Sequence, residues 1–181
     1  MTNSIKKITQ VAIFAGIMCI ISPITIPIGI IPITLSTFAI YLIGGLTKKY
    51  IGISSTIIYI FIGIIGIPVF SNYTGGIGAI LSVTGGYIIG YIPCILIVST
   101  ITSINKKKII LYPVSMLIGT LICYITGSLW FMFQTKNTLQ ETIIITIIPF
   151  IIFDLLKIVF ASICCYIINN KTPYKEIMLN I

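Results

Sequence analysis

Two charges stand inside an otherwise apolar run near the end of the chain. They are Asp154 and Lys157, within Pro149-Phe150-Ile151-Ile152-Phe153-Asp154-Leu155-Leu156-Lys157-Ile158-Val159-Phe160-Ala161. At the centre of a bilayer each would cost at least about 2.5 kcal/mol, so neither faces lipid. Their i,i+3 spacing puts them on one helix face, which Ala161 and Cys164 continue. A carboxylate beside an ammonium offers an acceptor next to a donor, which suits recognition of a polar ligand. The same two groups can also neutralise each other as a structural ion pair. Because ionisable residues within a membrane are usually functional, a ligand site is the expectation. If the helix begins near Pro149, Asp154 lies about 8 Å from its outer end at 1.5 Å per residue, and the site opens outward.

The segment from Pro68 to Tyr87 is rich in glycine: Pro68-Val69-Phe70-Ser71-Asn72-Tyr73-Thr74-Gly75-Gly76-Ile77-Gly78-Ala79-Ile80-Leu81-Ser82-Val83-Thr84-Gly85-Gly86-Tyr87. Glycine lets backbone approach a ligand closely, and Thr84 is placed to cap the next helix and offer its first amides, near Gly86, to an anion or carbonyl. The loop is otherwise a flexible linker. Tyr87 and Tyr91, at i,i+4, either wall the pocket or anchor the helix at the interface, and the single Trp, Trp130, has the same two readings. Stripes of small residues, among them Ala12 and Gly16, Ala15 and Cys19, and Gly86 and Gly90, allow close helix contact, either within the bundle or with a partner.

The elements that carry these residues follow from composition. Of 181 residues, 57% are hydrophobic and 8% charged, and mean hydropathy is +1.17. A soluble domain carries roughly 25% charged residues, so the solvent here is lipid. With no His, no Arg and three acids, the chain lacks the groups of acid/base and metal catalysis, and it has no Walker A pattern. It is therefore expected to be no enzyme and to need no cofactor. The five Cys all fall inside apolar segments and read as packing residues.

Residues 8–47, 50–105 and 109–135 hold no charge. At about 20 residues per crossing, these stretches and the tract after Thr142 accommodate six helices. The expected spans are Ile8 to Ile21, Thr34 to Leu46, Ile51 to Ile67, Thr84 to Ile104, Ile109 to Phe133 and Ile144 to Ile168, forming one all-α membrane domain over residues 1–181. The breaks fall at Ser22 to Pro32 and Gly66 to Gly86, where Pro and Gly cluster. Lys6, Lys7, Lys48, Lys49, Lys106, Lys107, Lys108, Lys171 and Lys175 then share one side, and only Lys136 lies in an opposite loop. By the positive-inside rule both termini are cytoplasmic. The net charge of +8 is accordingly topology signal and anionic-lipid contact, with no nucleic-acid partner. The first apolar run has no Ala-x-Ala site after it and reads as a retained helix.

Taken in order, Pro-Ile-Thr-Leu-Ser-Thr-Phe at 32–38, Gly-Ile-Pro-Val-Phe at 66–70, Thr-Gly-Gly-Tyr at 84–87, Tyr-x-x-Gly-x-x-Trp at 124–130 and Phe-Asp-x-x-Lys at 153–157 give the chain a specific likeness. It resembles the biotin-specific substrate-binding (S) component of energy-coupling factor transporters, the BioY family, across all six spans. It departs from the family pattern at Ser36, where Gln is usual, and at Ser82-Val83, where Gly-Pro is usual. The resemblance implies a six-helix protein of the bacterial plasma membrane, which captures biotin from outside and works with a transmembrane coupling protein and two cytoplasmic ATPases. It also implies contact with the coupling protein through small residues of the first helix, here Ala12, Ala15 and Gly16.

Biotin's ureido ring carries two N–H donors beside a C=O acceptor, matching Asp154 and Lys157. In that pose the valerate carboxylate lies toward Asn72, Thr84 and loop amides, while Phe70, Tyr87, Tyr91 and Trp130 contact ring and chain. In the reverse pose Lys157 meets the carboxylate. Another water-soluble vitamin, or a structural or channel role for the ion pair, are the alternatives.

Overall fold

A computed structural model describes residues 3–27 and 31–171. Lys175 of the lysine pattern, and residues 28–30 of the first Pro/Gly segment, lie outside the described residues. The chain is mostly helical. Four helices are long and apolar enough to cross a membrane: α1 (Asn3–Ile21), α5 (Gly85–Ile104), α6 (Leu111–Thr135) and α8 (Ile151–Lys171). Two shorter apolar helices, α2 (Ser36–Leu46) and α3 (Lys49–Ile64), complete the bundle. A short α4 (Ile77–Leu81) and α7 (Leu139–Thr146) lie between the longer elements.

Large apolar side chains cover the outside of this bundle: Phe133 is 80% exposed, and Ile20 and Ile104 are 73% exposed. In water such a surface would drive aggregation, whereas in hydrocarbon it is solvated. The interior is built from Tyr41, Tyr59, Tyr112, Phe70 and Met116, all buried. Hydroxyls inside the helices return to their own chain: those of Ser55, Thr56, Ser99, Thr102 and Thr120 each donate to the carbonyl four residues earlier. No water is needed to satisfy them.

Glycine sets the closest helix approach. A Cβ on Gly86 would run into the Trp130 side chain, one on Gly90 into Thr126, and one on Gly127 into the ring of Tyr87. α5 and α6 thus interlock along a seam where side chains of one fill the missing side chains of the other.

Lysines gather at one end of the bundle. Lys106, in the turn between α5 and α6, donates to the Leu46 carbonyl at 3.3 Å, and its own carbonyl accepts from Tyr112 and from Asn170 of α8. Burial and the nearby charge of Lys48 lower the Lys106 pKa. At the other end, Thr138 and Glu141 form a capping box at the start of α7. Hydrogen bonds from Thr138 hold the Glu141 carboxyl below its ordinary value.

Three expectations are corrected. The span expected from Ile144 to Ile168 is divided: α7 ends at Thr146, and α8 starts at Ile151 after the chain turns through 147–150. Pro149 cannot supply the N–H that a continuous helix would need there. The third span ends at Ile64 rather than Ile67, just before Gly66 takes φ 115°, a conformation glycine alone adopts freely. The loop after it is structured, with a 3-10 turn at Ser71–Tyr73 followed by α4.

Candidate functional site

Asp154 occupies the first turn of α8, where the free amides of a helix start favour a carboxylate. Its side chain is nearly buried and fully engaged. Oδ1 accepts from Lys157 Nζ at 2.9 Å, and Oδ2 accepts from the Tyr124 hydroxyl at 2.6 Å. Lys157 Nζ also donates to Thr37 Oγ1 at 3.1 Å, while that hydroxyl lies 3.4 Å from Asp154 Oδ1. Three elements therefore converge: α8 brings the charges, α6 brings Tyr124 and α2 brings Thr37. Each partner is needed because a buried charge without hydrogen bonds is strongly unfavourable.

These groups line a cavity that opens to solvent at its mouth. Its walls are Ile31, Pro32, Thr34 and Thr37 from the first loop and α2, Ser71, Thr84, Tyr87, Ile88 and Tyr91 before and along α5, Thr120, Cys123 and Tyr124 of α6, and Thr146, Phe150, Asp154 and Lys157. Thr84 and Ser71 are partly exposed, whereas Tyr91, Cys123 and Asp154 are buried. From Thr84 to Tyr91 the wall descends seven residues, about 10 Å at 1.5 Å per residue. The cavity thus runs from hydroxyls at a partly exposed rim to an ion pair in the interior.

A short antiparallel hairpin, β1 (Thr25–Ile26) with β2 (Ile33–Thr34), stands at the rim. The Thr25 hydroxyl donates to Asn72 Oδ1, tying the hairpin to the 3-10 turn. Asn72 and Tyr73 hold left-handed φ values of 56° and 55°, an arrangement Asn tolerates better than most residues.

Of the residues singled out from sequence, Asp154, Lys157, Thr84, Tyr87 and Tyr91 line the cavity, and Phe70, Asn72, Gly86 and Trp130 do not. Phe70 fills the space left by Gly63 and stacks edge-on against Tyr59. Asn72 serves the hairpin. Trp130 packs on Gly86 and donates its indole N–H to the Ser82 carbonyl at 2.9 Å. Thr84 precedes α5 without a side-chain cap: its hydroxyl pairs with Ser82, and the Gly85 and Tyr87 amides donate to the Ser82 and Thr84 carbonyls. The expected anion-binding amides are in that measure already used. On α1, Ala15 is buried in the core, whereas Ala12 is exposed and Gly16 has open space beside it.

Sequence reasoning missed Thr37 and Tyr124 as partners of the charges. Both sat within motifs that were noticed, and Thr120 and Tyr124 share a helix face at i,i+4. Tyr124→Phe removes the donor to Asp154 Oδ2 while keeping the ring. The expected outcome is a folded protein with ligand affinity weakened about tenfold, consistent with loss of one charge-assisted hydrogen bond, read by equilibrium titration.

An apolar helical bundle with a solvent-open cavity and a hydrogen-bonded ion pair on its wall is that of a polytopic membrane protein. A family model described as the BioY family matches residues 1–174, and the chain belongs to that family. Biotin transporter BioY2 of Lactococcus lactis subsp. cremoris (strain MG1363) is 30% identical, over 89% of this chain and 88% of that protein. Biotin transporter BioY of Thermotoga maritima is 29% identical, over 87% and 92%. Among solved structures, the S-component for biotin from an ECF-type ABC transporter matches with a TM-score of 0.84, covering 98% of this chain and 99% of that one at 24% identity. The fold is therefore that of an S-component.

Proposed function

We propose that this chain is the biotin-capturing S component of an energy-coupling factor importer in the bacterial plasma membrane. Membership of the BioY family and the S-component fold support that reading. The observation that carries it is the buried Asp154–Lys157 pair at the interior end of a cavity with a partly exposed rim. The ureido ring meets Asp154 and Lys157, with Tyr87 and Tyr91 beside the bicycle and the valerate tail running toward Thr84. Phe70, Asn72, Gly86 and Trp130 support this wall and rim from behind.

The chain forms a single domain in which α1, α2, α3, α5, α6 and α8 cross the membrane, with both termini cytoplasmic. The lysines gathered around Lys106 and Lys48 support that orientation. A transmembrane coupling protein and two cytoplasmic ATPases complete the importer, and the open Ala12 and Gly16 face of α1 is the surface offered to the coupling protein. The chain itself is no enzyme and holds no cofactor.

Equilibrium titration of labelled biotin into the detergent-purified protein tests the reading. Saturable binding that unlabelled biotin displaces, and riboflavin or thiamine does not, is expected. Well-folded protein that binds no biotin would overturn it.

A further inference from the structure

We infer that the cavity accepts the biotin head with an uncharged tail, as in amides and esters of biotin, about as readily as the free acid. This rests on the biotin reading above and concerns what the site does with the other end of the ligand.

Among the described residues Lys157 is the one cation lining the cavity, and it is committed to Asp154 at 2.9 Å and to Thr37 at 3.1 Å. A ligand carboxylate brought to Lys157 would stand beside Asp154, two anions sharing one cation in a buried site. A neutral ring with adjacent N–H and C=O groups meets the same pair without that repulsion. The ring therefore occupies the interior end and the tail points to the rim.

Among the described residues the rim holds no cation. Its polar side chains are neutral: the hydroxyls of Ser71, Thr84 and Thr34 line it beside Ile31 and Pro32, and Thr25 and Asn72 pair with each other at its edge. The Gly85 and Tyr87 amides and the Trp130 indole N–H are already donated to backbone carbonyls. Lys136 is exposed beyond the end of α6 and does not line the cavity. A tail carboxylate at this rim keeps its water, and exchanging it for an amide removes little.

Competition against labelled biotin, using biotin, biotinamide and biotin methyl ester on the purified full chain, tests this directly. Amide and ester are expected to match the acid within about fivefold, the range expected of an exposed, solvent-screened charge. A larger preference for the acid would overturn the inference, because a carboxylate held by a dedicated cation gains roughly 10- to 100-fold. The Lys157→Met variant supplies a second readout, with biotin and biotinamide expected to weaken by the same factor. A loss confined to the acid would assign Lys157 to the carboxylate and overturn it equally. Failure of biotin itself to bind wild-type protein would instead remove the biotin reading and this inference with it.

Discussion

Lys157→Met should weaken biotin binding roughly 10- to 100-fold and also destabilise the protein, while the double variant Asp154→Asn, Lys157→Met should regain the lost stability and bind still more weakly. Lys157 holds Asp154 Oδ1 at 2.9 Å in a position where both side chains are nearly buried. Removing it leaves a carboxylate supported by Tyr124 and Thr37 alone, and breaking one partner of a buried pair costs about 3–5 kcal/mol. Neutralising Asp154 as well removes the stranded charge, and Asn still accepts from Tyr124. The single variant loses the ammonium donor, one charge-assisted contact at about 1.5–3 kcal/mol or roughly 10- to 100-fold in affinity, and the double variant loses both charged contacts, more than about 100-fold. Thermal unfolding in detergent and biotin titration, run on wild type and both variants, separate the two effects. A double variant as unstable as the single one would sink this account of the pair.

Gly86→Leu is expected to disrupt both packing and binding. Its new side chain would enter the space of Trp130 and approach the Thr126 carbonyl, so backbone as well as side chain must move. Overpacking of this kind costs about 1–3 kcal/mol even where neighbours can yield. Tyr87, next in sequence, lies against Gly127 across the same seam and lines the cavity, so displacement of α5 carries the pocket wall with it. A lower unfolding temperature together with weaker biotin binding is the expected result. Gly78→Leu is the matching control, since nothing lies within contact distance of a Cβ there. Equal damage from both substitutions would show that the seam is not what matters.

Asp154 and Lys157 were legible in the sequence because charge in an apolar run has few explanations. The helices were legible because long charge-free stretches leave little choice of structure in lipid. Tyr124 and Thr37 were not: a Thr hydroxyl within a membrane helix usually bonds its own backbone, a Tyr there usually reads as an interfacial anchor, and only the convergence of α2, α6 and α8 aims these two at a charge. The division of the last apolar tract was hidden for a related reason: Pro149 is compatible with a helix start or with a turn between helices. Phe70 and Trp130 looked like ligand walls because aromatics often are. In the fold they fill volumes left by Gly63 and Gly86, a pairing with no fixed spacing along the chain. Gly16, by contrast, faces open space, so its smallness serves no contact among the described residues.

The three-residue spacing of Asp154 and Lys157 also has a consequence for biogenesis, before any bundle exists. Because the two charges meet on one helix, α8 enters the bilayer during synthesis as a net-neutral segment at that point. Two separate charges would add roughly 2.5–3.5 kcal/mol each to insertion. Had the counter-ion come from another helix, α8 would have had to wait for that partner inside the membrane.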